Sequence, residues 1–152
     1  MIDKDLAAFL QEGVGIHIAT RDASLQPNGI RALAVTVESD GLHVVVYAAE
    51  AAAARVLPDL EDNAQIAIGF GRPIDDRACQ VKGVVIGTRP ATEAERPVVA
   101  AQWDGFLGSL EQIGIPRVAT TTWVTWPAVA IRVRVNALFD QTPGPGAGAP
   151  IA

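Results

Sequence analysis

Positively charged side chains near the ends of predicted strands and helices are the residues of this sequence best suited to chemistry. Arg31 opens a predicted strand, Arg55 lies near the start of a predicted helix, and Lys82 lies in a later strand. Each of them alone is typical of a solvated surface charge. Together they can converge on a phosphate group, because a helix N-terminus offers free N–H groups and an arginine donates through a two-pronged fork. The sequence therefore indicates a local anion pocket.

Motifs for several other kinds of site are absent from the sequence. There is no Walker phosphate loop and no Gly-x-Ser-x-Gly turn, and Pro73 follows too soon after Gly71 for a dinucleotide fingerprint. His17 and His43 lie on different predicted strands without the spacing of paired ligands, so no metal site is predicted. Cys79 has no second cysteine or histidine nearby and is interpreted as a small buried residue.

The composition is typical of one globular domain. The chain has 152 residues, of which 49% are apolar and 19% charged, and this excludes general disorder. The net charge of −5 argues against nucleic-acid binding over the whole surface. No apolar run reaches the roughly 20 residues that cross a bilayer, and no signal-peptide pattern is present. We therefore expect a cytoplasmic protein without a nucleic-acid or membrane partner.

Hydrophobic periodicity predicts a chain dominated by strands, with helices between them. Thr92 is expected to cap the longest helix, with Glu95 as its capping-box partner, and Pro58 interrupts the pattern of another helix. The predicted helices cover 5–11, 51–62 and 92–113. The predicted strands cover 14–20, 30–38, 42–47, 65–70, 79–87, 120–126 and 128–135.

The order of these elements predicts a mainly β fold. The first three strands are joined by short turns, which is typical of an antiparallel meander, and the first half lacks β-α-β alternation. A barrel of six or seven strands with two or three helices is therefore expected rather than a doubly wound sheet. We assign 1–141 to a single domain and 142–152, rich in Pro, Gly and Ala, to a tail without regular structure.

Several patterns resemble the pyridoxamine 5'-phosphate oxidase-like family of FMN-binding split-barrel proteins. They are Arg31 at the start of the second strand, the strand at 42–47, the stretch 54–68, the run Phe-Gly-Arg-Pro at 70–73 with Gln-Val-Lys-Gly at 80–83, and the ending at 139–146. The similarity covers the chain from about 6 to 146. It implies an antiparallel split β-barrel of six to seven strands.

The resemblance also implies an FMN site shared by two copies of the chain, because members of the family are typically homodimers with two FMN sites at the interface. Arg31 matches an arginine of the second strand, and Arg55 matches the arginine of a Ser-Arg-Lys run at the phosphate. Tyr47 matches an aromatic residue of the third strand, and Gln80 lies near a glutamine of the fifth. These residues, with Lys82 as a compensating cation, form the predicted cofactor-binding set.

Four positions depart from the family pattern. Thr36 stands where a lysine is expected, Ala48 where a hydroxyl residue is expected, and Ala54 and Val56 in place of the serine and lysine of the phosphate run. Each charge-assisted hydrogen bond contributes roughly 1.5–3 kcal/mol. The losses weaken FMN binding by several orders of magnitude unless Lys82 or an arginine of the last strand compensates, or the pocket is used differently.

Two functions are therefore compared. The first is an FMN-dependent oxidoreductase acting on a small organic molecule, with no catalytic residue assigned. The alternative is a non-enzymatic split-barrel protein with a degenerate flavin site, which binds haem, a deazaflavin or another phosphorylated cofactor, or acts as an interaction module. Pyridoxamine 5'-phosphate oxidase activity itself ranks below both because of the four departures.

The strand at 42–47 predicts a covered surface on both of its sides. Val44 and Val46 point one way, and Val45 and Tyr47 point the other. A solvated sheet would show polar residues on one face. A two-fold partner is the expected cover, with helices or a second sheet of the same chain as the alternative.

Overall fold

The computed structural model describes residues 1–151 and contains one curved antiparallel sheet flanked by helices. Its strands are β1 (Gly15–Arg21), β2 (Pro27–Ala32), β3 (Ala34–Val37), β4 (His43–Ala49), β5 (Gln65–Gly71), β6 (Ala78–Pro90) and β7 (Ala128–Asp140). Its helices are α1 (Lys4–Gln11), α2 (Glu50–Ala53), α3 (Leu57–Asn63), α4 (Arg96–Gln112) and a short 3₁₀ helix, Arg117–Thr120. The predicted mainly β fold is confirmed.

Between β2 and β3 the chain passes from one edge of the sheet to the opposite edge. The strand order is β2-β1-β5-β6-β7-β4-β3, so these two strands adjoin in sequence but lie at opposite edges. Leu33 connects them, and its N–H donates to the carbonyl oxygen of Tyr47 over 2.7 Å. The single strand predicted over 30–38 therefore passes from one edge of the sheet to the other, which curls the sheet into a barrel.

The inside of the barrel forms the main core. Along each strand the side chains alternate between the two faces of the sheet. The inward set consists of β-branched and aliphatic residues that are almost completely buried. Ile18, Val44, Ile68, Val81 and Ile131 are each at most 1% exposed, and burial of such a side chain stabilises the fold by roughly 1.5–3 kcal/mol.

Helix α4 covers the outer face of the sheet beside β4. Tyr47 and Ala49 on that face pack with Val99, Trp103 and Phe106 in a second apolar cluster. These outward-facing residues of β4 are therefore covered by a helix of the same chain. The sequence analysis gave this cover as the alternative to a two-fold partner.

The predicted strand over 120–126 is wrong. This segment begins at the end of the 3₁₀ helix and continues as turn and loop, up to the cis peptide bond between Trp126 and Pro127. Its threonine, valine and tryptophan residues have high β propensity, but that propensity reflects packing in a sheet rather than a fixed backbone preference. Here the segment packs across α4 instead of pairing with a strand.

Two helix boundaries also differ from the prediction. The helix predicted over 51–62 is split in two, because Pro58 lies in the first turn of α3 and favours a new helix start there. α4 begins at Arg96 rather than near Thr92, although Glu95 does accept a hydrogen bond from the Thr92 N–H over 2.8 Å. None of the helices formed by residues 1–151 is long and apolar enough to cross a membrane.

The C-terminal segment makes a few specific contacts with the barrel. Pro150 forms an isolated β-bridge with Phe139, and the Ile151 N–H donates to the Leu138 carbonyl over 2.8 Å. Ile151 also packs against the main core. The tail predicted over 142–152 thus has one bridge in its described part, and Ala152 lies outside the described residues.

Candidate functional site

A largely apolar cavity of about 350 Å³ lies between β2, α2, α4 and the segment after the 3₁₀ helix. We call it the Arg31 cavity, because Arg31 is the only charged residue among those that line it. Two tryptophans and several small side chains form the rest of the lining. The lining residues are Arg31, Leu33, Ala49, Ala51, Ala52, Trp103, Thr122, Trp123 and Val124.

Arg31 is held between two aromatic rings. Its guanidinium carbon lies 5.2 Å from the centre of the Phe106 ring and 4.9 Å from that of Trp123. Half-burial lowers the pKa of Arg31, but a guanidinium remains charged in proteins. Within residues 1–151 no carboxylate forms an ion pair with it. Since stacking uses the faces of the guanidinium, its N–H edges stay available for an anion.

His17 lies beside Arg31 on the outer face of the sheet. The two residues are direct partners across β1 and β2. Burial, and then the charge of Arg31, lower the pKa of His17, so its imidazole is neutral at pH 7. Both residues line a second cavity of about 400 Å³, which also contains Arg72. Arg72 already forms ion pairs with Glu12 at 2.7 Å and with Asp75 at 2.6 Å. Arg31 is therefore the arginine of this cavity lining that has no ion-pair partner within residues 1–151.

Tyr47 lies behind the Arg31 cavity and does not line it. Its hydroxyl donates to Glu95 Oε1 over 2.9 Å, and Arg89 donates to both oxygens of the same carboxylate at 2.6 and 2.8 Å. The hydrogen bonds from Arg89 and Thr92 hold the pKa of Glu95 well below its usual range. Burial raises the pKa of Tyr47. The phenol is thus fixed to the start of α4 rather than directed toward a ligand.

Arg55 lies in the exposed turn between α2 and α3. Its backbone carbonyl accepts a hydrogen bond from the side-chain amide of Asn28, which lies three residues before Arg31 on β2. This contact ties the turn to the strand that carries Arg31. The side chain of Arg55 does not line the Arg31 cavity.

Gln80 and Lys82 lie on the same outer face of the sheet as Arg31 but farther along it. A row of cross-strand partners runs from Arg31 through His17 and Gly69 to Gln80. Three strand spacings separate Arg31 from Gln80, a distance of roughly 14 Å. Lys82 lies in the next row. Within one copy of the chain, neither residue reaches the Arg31 cavity.

The positions that depart from the family pattern fall into two groups. Ala48 and Val56 are completely buried in the main core, so neither faces a ligand. Thr36 is half-buried on β3 and Ala54 is exposed. Of the last-strand arginines, Arg132 is bound at 2.7 and 2.8 Å by the carboxylate of Glu38, and this pairing leaves it unable to replace a lost cation.

Trp103 and Trp123 are the cavity residues that sequence reasoning missed as site residues. Trp103 lies in the predicted helix over 92–113 and Trp123 in the predicted strand over 120–126, and neither prediction gave these residues a role in a site. Their rings are 5.5 Å apart, and together they wall the cavity above Arg31. All three tryptophans of the chain, which has only eight aromatic residues, lie between 103 and 126. This clustering is a signal in the sequence, but the contact between Trp103 and Trp123 depends on tertiary packing.

A cluster of Glu38, Asp40 and His43 resembles a metal site in its composition. One ligand atom from each residue lies within 4.8 Å of the others. Glu38 is paired with Arg132, and Asp40 contacts His43 Nδ1 at 2.6 Å. Because these groups already bind one another or an arginine, we assign no metal to the cluster.

Comparison with known proteins gives a clear result at the level of the fold. An F420 reductase is similar with a TM-score of 0.59 at 18% identity, covering 86% of this chain and 93% of that one. HupZ from Group A Streptococcus has a TM-score of 0.58 at 19% identity, covering 97% and 100%. An FMN-binding protein from Syntrophomonas wolfei subsp. wolfei has a TM-score of 0.54 at 10% identity, covering 90% and 86%.

These similarities confirm the split-barrel fold that the resemblance to pyridoxamine 5'-phosphate oxidase-like proteins implied. At identities below 20% they establish the fold and leave the ligand open. No protein-family model matches the sequence, and a search of curated proteins returned no match.

Proposed function

We propose that the chain binds FMN in the Arg31 cavity and supports redox chemistry on a small organic molecule. The observation that carries this proposal is Arg31, a half-buried cation with free guanidinium edges in an otherwise apolar cavity. FMN combines a planar aromatic ring with a phosphate group, and the cavity offers aromatic walls for the one and a cation for the other. The F420 reductase and the FMN-binding protein with the same fold support this ligand class.

The residues of this chain have distinct parts in the proposed site. Arg31 binds the phosphate, with Arg55 as a second cation on the neighbouring turn, and Trp103 and Trp123 contact the ring. When bound, the isoalloxazine supplies the hydride and electron transfer. The chain positions it and excludes water, and no acid or base of the chain is assigned. Within one copy of the chain, Gln80 and Lys82 stay outside this site because of their distance from Arg31 on the sheet.

A homodimer is part of the same proposal. The cavity volume of about 350 Å³ is at the small end of the range of roughly 300–1,000 Å³ for ligand sites. Its rim carries exposed apolar side chains: Trp123 is 39% and Val124 63% exposed, and Val118 on the adjoining 3₁₀ helix is 74% exposed. A second copy packed on this rim would cover these residues and complete the cavity. Light scattering at micromolar concentration tests this part, and a monomeric mass would exclude it.

The test of FMN binding is a fluorescence titration of purified protein with FMN. Wild-type protein should quench flavin fluorescence with saturation. Arg31→Gln should weaken binding at least roughly tenfold, since a charge-assisted hydrogen bond is lost. Arg134→Gln is the matched control, because Arg134 is an exposed β-strand arginine that does not line the cavity. Absence of FMN uptake by wild-type protein would overturn the proposal.

The alternative is a split-barrel protein that binds a different ligand and catalyses no reaction. It is favoured by Ala48 and Val56, two completely buried apolar residues at positions where the family pattern has polar ones. The chain therefore offers fewer polar groups to a phosphate than the family pattern does. The same titration with F420 and with haem separates the two functions. Tighter binding of either compound than of FMN would support the alternative.

A further inference from the structure

A separate cavity of about 450 Å³ lies on the outer face of β5 and β6. It shares no lining residue with the Arg31 cavity, and it contains two cations and two amide side chains. We call it the bulge recess. Its lining residues are Ala19, Thr20, Arg21, Gln65, Ile66, Ala67, Lys82, Gly83 and Asn136.

The bulge recess is formed by an irregularity in the pairing of β6 with β7. Lys82 lies opposite Ala137 and Gly83 lies opposite Val135, so Asn136 has no partner on β6. Such a bulge turns the side chain of the extra residue to a new direction, and bulges are frequent beside functional sites. Here the extra residue is Asn136, which lines the recess next to Lys82.

The two cations of the recess are not neutralised within the described part of the chain. Arg21 and Lys82 are the only charged residues that line it, and neither forms an ion pair. Five other arginines of this acidic chain do form ion pairs. They are Arg72, Arg89, Arg96, Arg117 and Arg132.

Each of the two cations makes one contact with a neighbouring residue. The Lys82 ammonium lies 5.0 Å from the centre of the Phe139 ring, an arrangement that favours a fixed position for the charge. Arg21 Nη1 donates to the Asp22 carbonyl at 3.2 Å, which leaves its other N–H groups free. The floor between them consists of Ala19 and Ala67, whose small side chains let a ligand approach the sheet closely.

We propose that the bulge recess binds the phosphate group of a small phosphomonoester, at a site separate from the proposed FMN site. A phosphate at neutral pH carries nearly two negative charges, and two cations without partners balance them. Arginine donates to a phosphate through its fork and lysine binds it as a point charge. The amide N–H groups of Gln65 and Asn136 supply further donors for the remaining oxygens.

The test is calorimetric titration of inorganic phosphate and of glycerol phosphate into the purified full-length chain at low salt. Both should bind with saturation, and added salt should weaken the binding. Arg21→Gln combined with Lys82→Gln should weaken it at least roughly tenfold. The single change Lys82→Gln, at an exposed position, provides a second variant with a smaller loss if the double variant folds poorly.

The matched control combines Lys4→Gln with Arg77→Gln, which removes the same charge from two exposed residues without ion pairs in the described chain. This control should bind phosphate as wild type does. The proposal is overturned by absence of saturable phosphate binding, by an equal loss in the control, or by a loss in Arg31→Gln alone. It is also overturned if succinate binds as tightly as phosphate, since the site would then select charge and not phosphate.

Discussion

The side-chain amide of Gln102, on α4, forms two hydrogen bonds with the main chain of Val35. Its Nε2 donates to the Val35 carbonyl over 2.7 Å, and its Oε1 accepts from the Val35 N–H over 3.0 Å. Val35 lies on β3, which is an edge strand of the sheet. The amide therefore takes the place of a neighbouring strand and satisfies two buried backbone groups that would otherwise lack partners.

We predict that Gln102→Leu strongly destabilises the fold. Leucine fills similar space but leaves the N–H and carbonyl of Val35 buried and unpaired, at a cost of roughly 1–3 kcal/mol for each group. Urea denaturation should show a loss of about 2–4 kcal/mol in the free energy of unfolding. Gln112→Leu, an exposed position on the same helix, is the control and should change it little. Equal effects at the two positions would contradict this role of Gln102.

The closure of the barrel shows where sequence reasoning about the fold stops. Alternation from 30 to 38 predicted one strand, and both halves of that segment are indeed strand. The alternation carries no information on which neighbour each half pairs with. The change of edge at Leu33 depends on contacts with Tyr47 and Gln102, which are distant in sequence. Local patterns thus predicted the strands, while tertiary contacts decided their arrangement.

The sequence likewise predicted only one part of the candidate site, the arginine at its centre. Arg31 could be identified from its residue type. Its predicted place at a strand start is wrong, because β2 spans Pro27–Ala32 and Arg31 lies next to its last residue. The surroundings of Arg31 could not be identified, because Phe106 and Trp123 come from elements that are 75 or more positions further along the chain. Gln80 was grouped with Arg31 by the resemblance and Lys82 by its charge, whereas the register places both of them three strands away.

The carboxylate of Glu95 predicts a pH-dependent contribution to stability. The pKa of Glu95 in the folded chain is held below its ordinary value of 4.5, chiefly by hydrogen bonds from Arg89. A lowered pKa in the folded state stabilises the fold above pH 4.5, and this stabilisation is lost as the pH falls below that value. Glu95→Gln should therefore cost on the order of 1 kcal/mol at pH 7, because solvent screens this partly exposed group.

The check is the free energy of unfolding of wild type and Glu95→Gln between pH 7 and pH 3. The difference between the two proteins should shrink below pH 4.5 as Glu95 of the wild type becomes protonated. Glu61→Gln is the control, since Glu61 is an exposed residue of α3 without an ion pair in the described chain. A difference that stays constant over this range would show that Glu95 acts through packing alone.

Cys79 should be nearly unreactive in the folded protein. It lies inside the barrel with 3% of its surface exposed, and burial raises the pKa of its thiol to about 12. At pH 8 only roughly one thiol in ten thousand is then ionised, and the thiolate is the reactive form. Labelling with Ellman's reagent should be at least roughly a thousandfold slower in native protein than in concentrated urea. Native labelling within tenfold of the unfolded rate would contradict this burial.

Gly83 should tolerate no side chain, because the bulge between β6 and β7 brings the opposite strand too close. A Cβ atom there would collide with the carbonyl oxygen of Arg134 and lie 2.7 Å from Val133 Cγ1. Gly83→Ala should lower the free energy of unfolding by about 2–3 kcal/mol in urea denaturation. Gly69→Ala on β5 is the control, since no atom lies within 4 Å of its Cβ position, and it should be neutral within roughly 0.5 kcal/mol. A neutral Gly83→Ala would mean that the bulge does not constrain this position.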